Sequence, residues 1–324
     1  MSRTEQPTER TLSPVIAGLL RCPICRANLQ RRADSFRCIA SNCAAVFPII
    51  RGVPVLLNEQ RSLFRISEIV DDPGGRTAGG APTAWVQHFL PTISLNVAAR
   101  RNFRLMSSLL HHLPATPRVL VVGAGTLGEG FGPLLTDSEI QLVETDVAFG
   151  PRVCVLCDAH DLPFDDGSFD GVIAQAVLEH VVDPKRCVDE IHRVLKPEGI
   201  VYAETPFMQQ VHLGRFDFSR FTHLGHRRLF SGFVELESGL ACGPGMALAW
   251  SYMYFLLSFS RSKTIRRLLK VFAMITSFPL KYFDYYLADK PAALDAASGY
   301  YFLGKKANLP LSDRDLIRLY MGAF

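Results

Sequence analysis

From about residue 95 onward the chain alternates two hydrophobic patterns. Helical spacing of apolar positions over Leu95 to His112 gives way to a continuous apolar run, Val119 to Val122. Further runs follow at Ile140 to Glu144, Val153 to Cys157 and Gly171 to Ala174, then helical spacing over Lys185 to Leu195, then another run, Ile200 to Thr205. Runs of this length bounded by turn residues predict buried strands, and strands alternating with helices predict an α/β fold with a mostly parallel sheet covered on both faces. Glu235 to Cys242 and Ser298 to Lys305 complete the pattern as sixth and seventh strands, with roughly 50 residues inserted between them. No internal repeat interrupts the series.

The other segments divide by composition. Residues 1–13 form a polar tail, 14–60 hold a cysteine-rich module, and 61–84 make a linker containing the Gly/Pro-rich run Asp71 to Pro82. The α/β domain then spans 85–309, its helical insert 246–290, and 310–324 make a C-terminal tail. With 324 residues, 48% of them apolar and 20% charged, the chain can bury a substantial core, which excludes a disordered protein. Its formal charge of +4 and pI of about 8.6 are too mild to argue for nucleic acid. The polar start and the six apolar or small residues before Arg21 lack a secretory h-region, so the expected location is cytoplasmic. No uncharged apolar stretch reaches the roughly 18–20 residues of a membrane span, although Met246 to Ser260 comes near it.

Cys22, Cys25, Cys38 and Cys43 read C-x2-C, a 12-residue gap, then C-x4-C. Two such knuckles place four soft thiolates around one zinc ion, and a set filled entirely by Cys leaves no position open for water, so the metal is expected to be structural. Cys154 and Cys157 lie on a predicted strand, where odd spacing sends them to opposite faces as core residues.

The apolar run Val119 to Val122 breaks into Gly123-Ala124-Gly125-Thr126-Leu127-Gly128. Glycines after a buried strand let the backbone approach a ligand closely. The next strand ends in Glu144-Thr-Asp146, suited to a ribose diol, and both signals serve dinucleotides and S-adenosylmethionine equally. Asp158 to Asp170, reading D-A-H-D-L-P-F-D-D-G-S-F-D, separates the two. This segment, Val177-Leu-Glu-His180 and Leu195-Lys-Pro-Glu-Gly199 resemble in order and spacing the class I S-adenosylmethionine-dependent methyltransferases, particularly the ubiquinone and menaquinone branch.

The resemblance covers about residues 115–205 and implies a Rossmann-like, seven-stranded, mostly parallel sheet. It also implies that Gly123, Ala124 and Gly125 pass under the methionine part of the cofactor, that Asp146 holds the ribose, that Asp158 and Ala159 meet the adenine, and that Gln175 lies near the sulfonium. Val121 stands where the family usually has Asp or Glu, and Glu198 where it has Gly. Leu20 to Cys25, the second cysteine pair and Phe47 to Leu57 are similar to the small zinc protein that activates tRNA and protein methyltransferases, here fused as a zinc-ribbon-like domain.

Methyl transfer is an in-line displacement that needs alignment and, for a poor nucleophile, a base. Candidate bases are His180, within the family motif, and His212, with Glu204, His223 and His226 behind them; each is also compatible with a hydrogen-bonded structural side chain. The rings, Arg and His between Thr205 and Phe230 suit an acceptor with apolar and anionic parts, or form a packed lid. The insert carries two apolar segments around Arg261, Lys263, Arg266, Arg267 and Lys270, a pattern compatible with a membrane interface, burial against the sheet or a homodimer contact. The expected function is methyl transfer to a small-molecule or lipid- or glycan-linked acceptor. A non-catalytic cofactor-binding subunit and an NAD-dependent oxidoreductase are the alternatives.

Overall fold

A computed structural model describes residues 12–71, 90–125 and 128–323. Most of the expected polar tail and the Gly/Pro-rich part of the linker lie outside these residues. Eleven strands among the described residues form one sheet: β1 (Leu29–Arg31), β2 (Ser35–Cys38), β3 (Val46–Ile50), β4 (Val53–Leu56), β5 (Arg118–Val122), β6 (Gln141–Asp146), β7 (Val155–Cys157), β8 (Phe169–Gln175), β9 (Leu195–Pro206), β10 (Phe233–Cys242) and β11 (Gly299–Lys306). Their spatial order is β1-β2-β3-β4-β7-β6-β5-β8-β9-β11-β10. The stretch β7-β6-β5-β8-β9 is parallel, and β11 enters antiparallel between β9 and β10.

The strands expected from the sequence, β5 to β11, lie side by side, and the four N-terminal strands continue the same sheet where a small domain of its own was expected. The N-terminal strands are antiparallel among themselves, but β4 pairs in parallel with β7, joining Val55 to Leu156 and Leu56 to Cys157. Further attachments reinforce this edge: Leu20 bridges Phe164, and Arg26 reaches Glu190 at 2.6 Å. Ile16, Leu20, Phe36 and Phe47 share one core with Val122, Phe164, Val188 and Ile191.

Alternation along β5 builds the two core faces. Val119 and Val121 pack with Phe103, Met106 and Leu110 of the helix Ala99–His111, whereas Leu120 and Val122 face the helix Pro184–Val194. The second helix begins on Pro184, and Asp183 accepts from the amide of Arg186 at 3.1 Å, closing its first turn.

The insert between β10 and β11 folds into helices Pro244–Ser258 and Lys263–Ser277, followed by the short turns Phe278–Phe283 and Asp284–Leu287. Ala249, Met253 and Leu257 pack against Ala273 and Ile93, and buried Asp284 accepts from the amides of Gly245 and Met246 at 2.7 and 3.0 Å. Phe255, Phe259, Leu268, Phe272 and Ile275 remain exposed. No helix among the described residues is long and apolar enough to cross a membrane. The segment expected as a C-terminal tail holds the helix Asp313–Ile317 and is tied back by Tyr320, whose hydroxyl reaches Asp295 at 2.7 Å.

Candidate functional site

A cavity of about 260 Å³ lies at the C-terminal ends of β5, β6, β7 and β8, where loops leaving parallel strands converge. Val122, Gly123 and Gly125 form its floor, Asp146 to Ala148 one side, Cys157 to His160 the next, and Ala176, Val177 and His180 to Val182 the far end. Gly123 has φ +76°, and a Cβ there would sit 2.4 Å from Cγ2 of Val177. Both conformation and space therefore demand glycine at this turn.

Asp146 serves two amides: Oδ2 accepts from Gly125 at 2.8 Å and Oδ1 from Ala148 at 2.9 Å. Burial raises its pKa, and these bonds only partly oppose that. Asp158 has the opposite balance. Burial works against its charge, yet His160 Nδ1 (2.6 Å), the His160 amide (3.0 Å) and Ser62 Oγ (2.5 Å) hold the carboxyl below its ordinary value. His160 accepts the Asp183 amide at Nε2, which fixes Nδ1–H as the donor to Asp158.

Gly123, Gly125, Asp146, Asp158, Ala159 and His180 thus meet on one cavity. Ala124 lies beneath it, buried, its amide bonded to the Thr145 carbonyl at 3.0 Å. Gln175 is turned elsewhere: its Nε2 donates to the Glu129 carbonyl at 3.1 Å and to Glu204 Oε2 at 3.0 Å. Glu204 also accepts from Asn96 and Tyr202, a network that uses its carboxylate structurally. His212 stands beside the cavity, its ring 4.9 Å from that of His180. His223 and His226 lie away from the cavity lining, on the buried face of the helix His223–Leu229, where burial pushes the pKa of His226 down to about 3. Val121 is buried among apolar neighbours, so no acidic side chain stands at that strand position. Glu198 adopts φ +60°, the left-handed turn that a glycine would favour.

Several site residues were not singled out in the sequence. Leu63 and Phe64 line the cavity from the segment following β4, and Phe64 packs 5.7 Å from Phe216. Nearby, Asn58 Nδ2 donates to Asp161 at 3.2 Å. Glu179 is completely buried at the far end, and burial raises its carboxyl to about 8.

The four cysteines come together in the N-terminal part. Their sulfurs all lie within 4.8 Å of one another, with Cys22 to Cys43 at 3.8 Å and Cys25 to Cys38 at 3.5 Å. A tetrahedral zinc with bonds of about 2.3 Å needs sulfur separations of about 3.8 Å, so the donor set fits that ion. Arg26 and Ala44, each following the second cysteine of its pair, both take positive φ (62° and 47°), turning the chain back around the sulfurs.

Residues 135–203 match the family model of a methyltransferase domain. The matched stretch runs from β6 to β9 and includes Asp146, Asp158, Glu179 and His180. Among curated proteins, the chain is 37% identical over 154 residues to a chloroplastic 2-phytyl-1,4-beta-naphthoquinone methyltransferase of Arabidopsis thaliana, covering 45% of this chain and 57% of that protein. It is 41% identical over 58 residues to the mitochondrial arginine-hydroxylase NDUFAF5 of Rattus norvegicus, covering 18% and 16% respectively. The chain thus spans less than two thirds of either relative. A solved structure of Haemonchus contortus phosphoethanolamine N-methyltransferase 2 with S-adenosyl-L-methionine aligns with 17% identity, a TM-score of 0.40, and coverage of 64% of this chain and 53% of that one.

Proposed function

We propose that the protein is an S-adenosylmethionine-dependent methyltransferase acting on a quinone-like or other small-molecule or lipid-linked acceptor. The observation that carries this is the convergence of Gly123, Gly125, Asp146, Asp158 and Ala159 from three adjacent strand ends onto one cavity. The residues suit the cofactor. Gly123 leaves open the space that a side chain would fill, Asp146 is placed to take the ribose hydroxyls, and Asp158 with Ala159 borders the position for adenine. When bound, the cofactor supplies a methyl group on a positively charged sulfur.

The chain's own contribution is alignment and exclusion of water. Phe64, Phe216, Val177, Val181 and Leu213 form apolar walls around the polar strand ends. A low-polarity enclosure favours transfer away from a cation and keeps the reacting groups in line. His180 is held neutral by burial, which outweighs its bond to the Phe216 carbonyl, so its Nε2 lone pair is available beside the cavity. Cys22, Cys25, Cys38 and Cys43 are assigned to one structural zinc, whose role is to hold the N-terminal strands that present Leu63 and Phe64 to the cavity.

A non-catalytic cofactor-binding subunit is the second reading, favoured by apolar Val121. Titration calorimetry with S-adenosylhomocysteine and with NAD tests the cofactor. Methyl transfer from labelled cofactor to a cell extract tests turnover: labelled product supports the enzyme, and binding without product supports the subunit.

A further inference from the structure

Beyond the cofactor residues, three side chains come together at and beside the far end of the cavity: Glu179 and His180 after β8, and His212 on the loop after β9. Each offers one ligand atom, and these atoms lie within 4.8 Å of one another. The histidines are pre-oriented. His180 donates Nδ1–H to the Phe216 carbonyl at 2.8 Å, which leaves its Nε2 lone pair 3.7 Å from Glu179 Oε1. His212 has Nδ1 3.3 Å from the Gln210 carbonyl, and its Nε2 is 4.0 Å from the same oxygen. An imidazole that ligates a metal usually donates its other N–H to such a carbonyl.

Glu179 supplies the independent observation. Its side chain is 1% exposed, and neither carboxylate oxygen has a hydrogen-bond partner among the described residues. Arg220 is the nearby cation, but it is committed to Asp217 and to the carbonyls of Gln209, Gln210 and Ser219. A buried carboxylate without donors is destabilising unless it gains a proton or a cation. Ligand atoms around bonds of about 2.1 Å sit about 3.4 Å apart in a tetrahedral set. The observed 3.7 and 4.0 Å are a few tenths of an ångström wider, within reach of small side-chain rotations.

We propose that Glu179, His180 and His212 form a divalent-cation site at the acceptor end of the cavity, with its open positions filled by oxygen atoms of the acceptor. Two imidazoles and one carboxylate suit Mn²⁺, Fe²⁺, Co²⁺ or Zn²⁺ better than Ca²⁺. Three protein ligands leave coordination positions for a substrate, unlike the closed four-cysteine set. His180 lines the cavity beside Val177 and Phe216, so such an acceptor would lie next to the cofactor position. The acceptor class, a hydroxyl or enolic oxygen, rests on the methyltransferase reading; the ion site does not.

Mn²⁺ is the suitable probe, because the thiolate set prefers softer ions. The full chain, zinc-loaded, is titrated with Mn²⁺ and the loss of the free-ion electron paramagnetic resonance signal is followed. The expected result is one Mn²⁺ per chain, with affinity at least tenfold weaker in Glu179→Gln and in His212→Ala. Melting temperature and S-adenosylhomocysteine affinity are measured on the same samples. Loss of S-adenosylhomocysteine binding in the wild type refutes the methyltransferase reading and leaves the ion result standing. His212→Ala, at the cavity rim, provides the comparison if Glu179→Gln does not fold. Wild-type Mn²⁺ binding no tighter than that of His212→Ala overturns the site. So does an infrared band of protonated Glu179, absent in Glu179→Gln, that persists under excess Mn²⁺.

Discussion

Replacing Ser62 with alanine removes one hydroxyl from a segment 96 residues away in sequence from the carboxylate it serves. Ser62 Oγ donates to Oδ2 of Asp158, while the two bonds from His160 both fall on Oδ1. The variant therefore leaves Oδ2 without its donor on a carboxylate that is 4% exposed. A hydrogen bond to a charged group contributes about 1.5–3 kcal/mol, and water entering from the adjoining cavity would recover part of it, so a loss of about 1–2 kcal/mol is expected at pH 7. Asp158 sits below its ordinary pKa, so the stability it confers is present above the unfolded-state value of about 4 and is lost as pH falls through the folded value. The deficit of Ser62→Ala should accordingly be full at pH 7 and shrink below about pH 4 as Asp158 is protonated in both proteins, leaving the smaller, pH-independent part that comes from the Phe64 amide, which donates to Ser62 Oγ at 3.1 Å. Urea unfolding followed by circular dichroism between pH 3 and 7 measures this. Calorimetry should show S-adenosylhomocysteine bound about three- to tenfold more weakly, because Leu63 and Phe64 shift with Ser62. A deficit below about 0.5 kcal/mol at pH 7, or one that grows as pH falls, would refute the reasoning.

Asp146→Ala should weaken cofactor binding by about 1.5–3 kcal/mol, roughly ten- to hundredfold, and Asp146→Asn should not restore it, because the Gly125 and Ala148 amides each need an acceptor. An unchanged dissociation constant by calorimetry would remove Asp146 from the ribose site. Metal analysis should find one zinc per chain, and a chelator or Cys38→Ser should both lower the melting temperature and weaken S-adenosylhomocysteine binding, since the same N-terminal part ends in Ser62 to Phe64; unchanged melting in Cys38→Ser would contradict the assignment. The exposed residues Phe255, Phe259, Leu268 and Phe272 beside Arg267 and Lys270 should bind the protein to anionic vesicles, each cation adding about 1 kcal/mol. Sedimentation that is independent of anionic lipid and of high salt would point to a protein contact instead.

The strands of the α/β part were legible because parallel strands buried on both faces must be apolar throughout, as at Val119 to Val122. Asp146 and Asp158 stood out for the complementary reason: charge directly after an apolar run marks the strand end, where a ligand can be met. Gln175 shows where this logic stops. Its register partner across β8 and β9 is Glu204, and the amide turns toward that carboxylate instead of the cavity. Ser62, Leu63 and Phe64 were hidden because nothing local marks them. Their place depends on the parallel pairing of β4 with β7, a contact across about 100 residues that also makes the cysteine-rich segment an extension of the sheet. Glu179 could have been suspected from its motif, but its missing partners are visible only in three dimensions.

The central claim is that the cavity between Gly123 and Asp158 holds S-adenosylmethionine. Titration calorimetry of the purified full chain with S-adenosylhomocysteine, run beside NAD and beside Gly123→Ala, tests it most directly. One binding site per chain is expected for S-adenosylhomocysteine, none for NAD, and a strongly weakened site in Gly123→Ala, whose Cβ would meet Val177. Heat of binding with NAD alone, or no heat from S-adenosylhomocysteine with a folded, zinc-loaded chain, would contradict it.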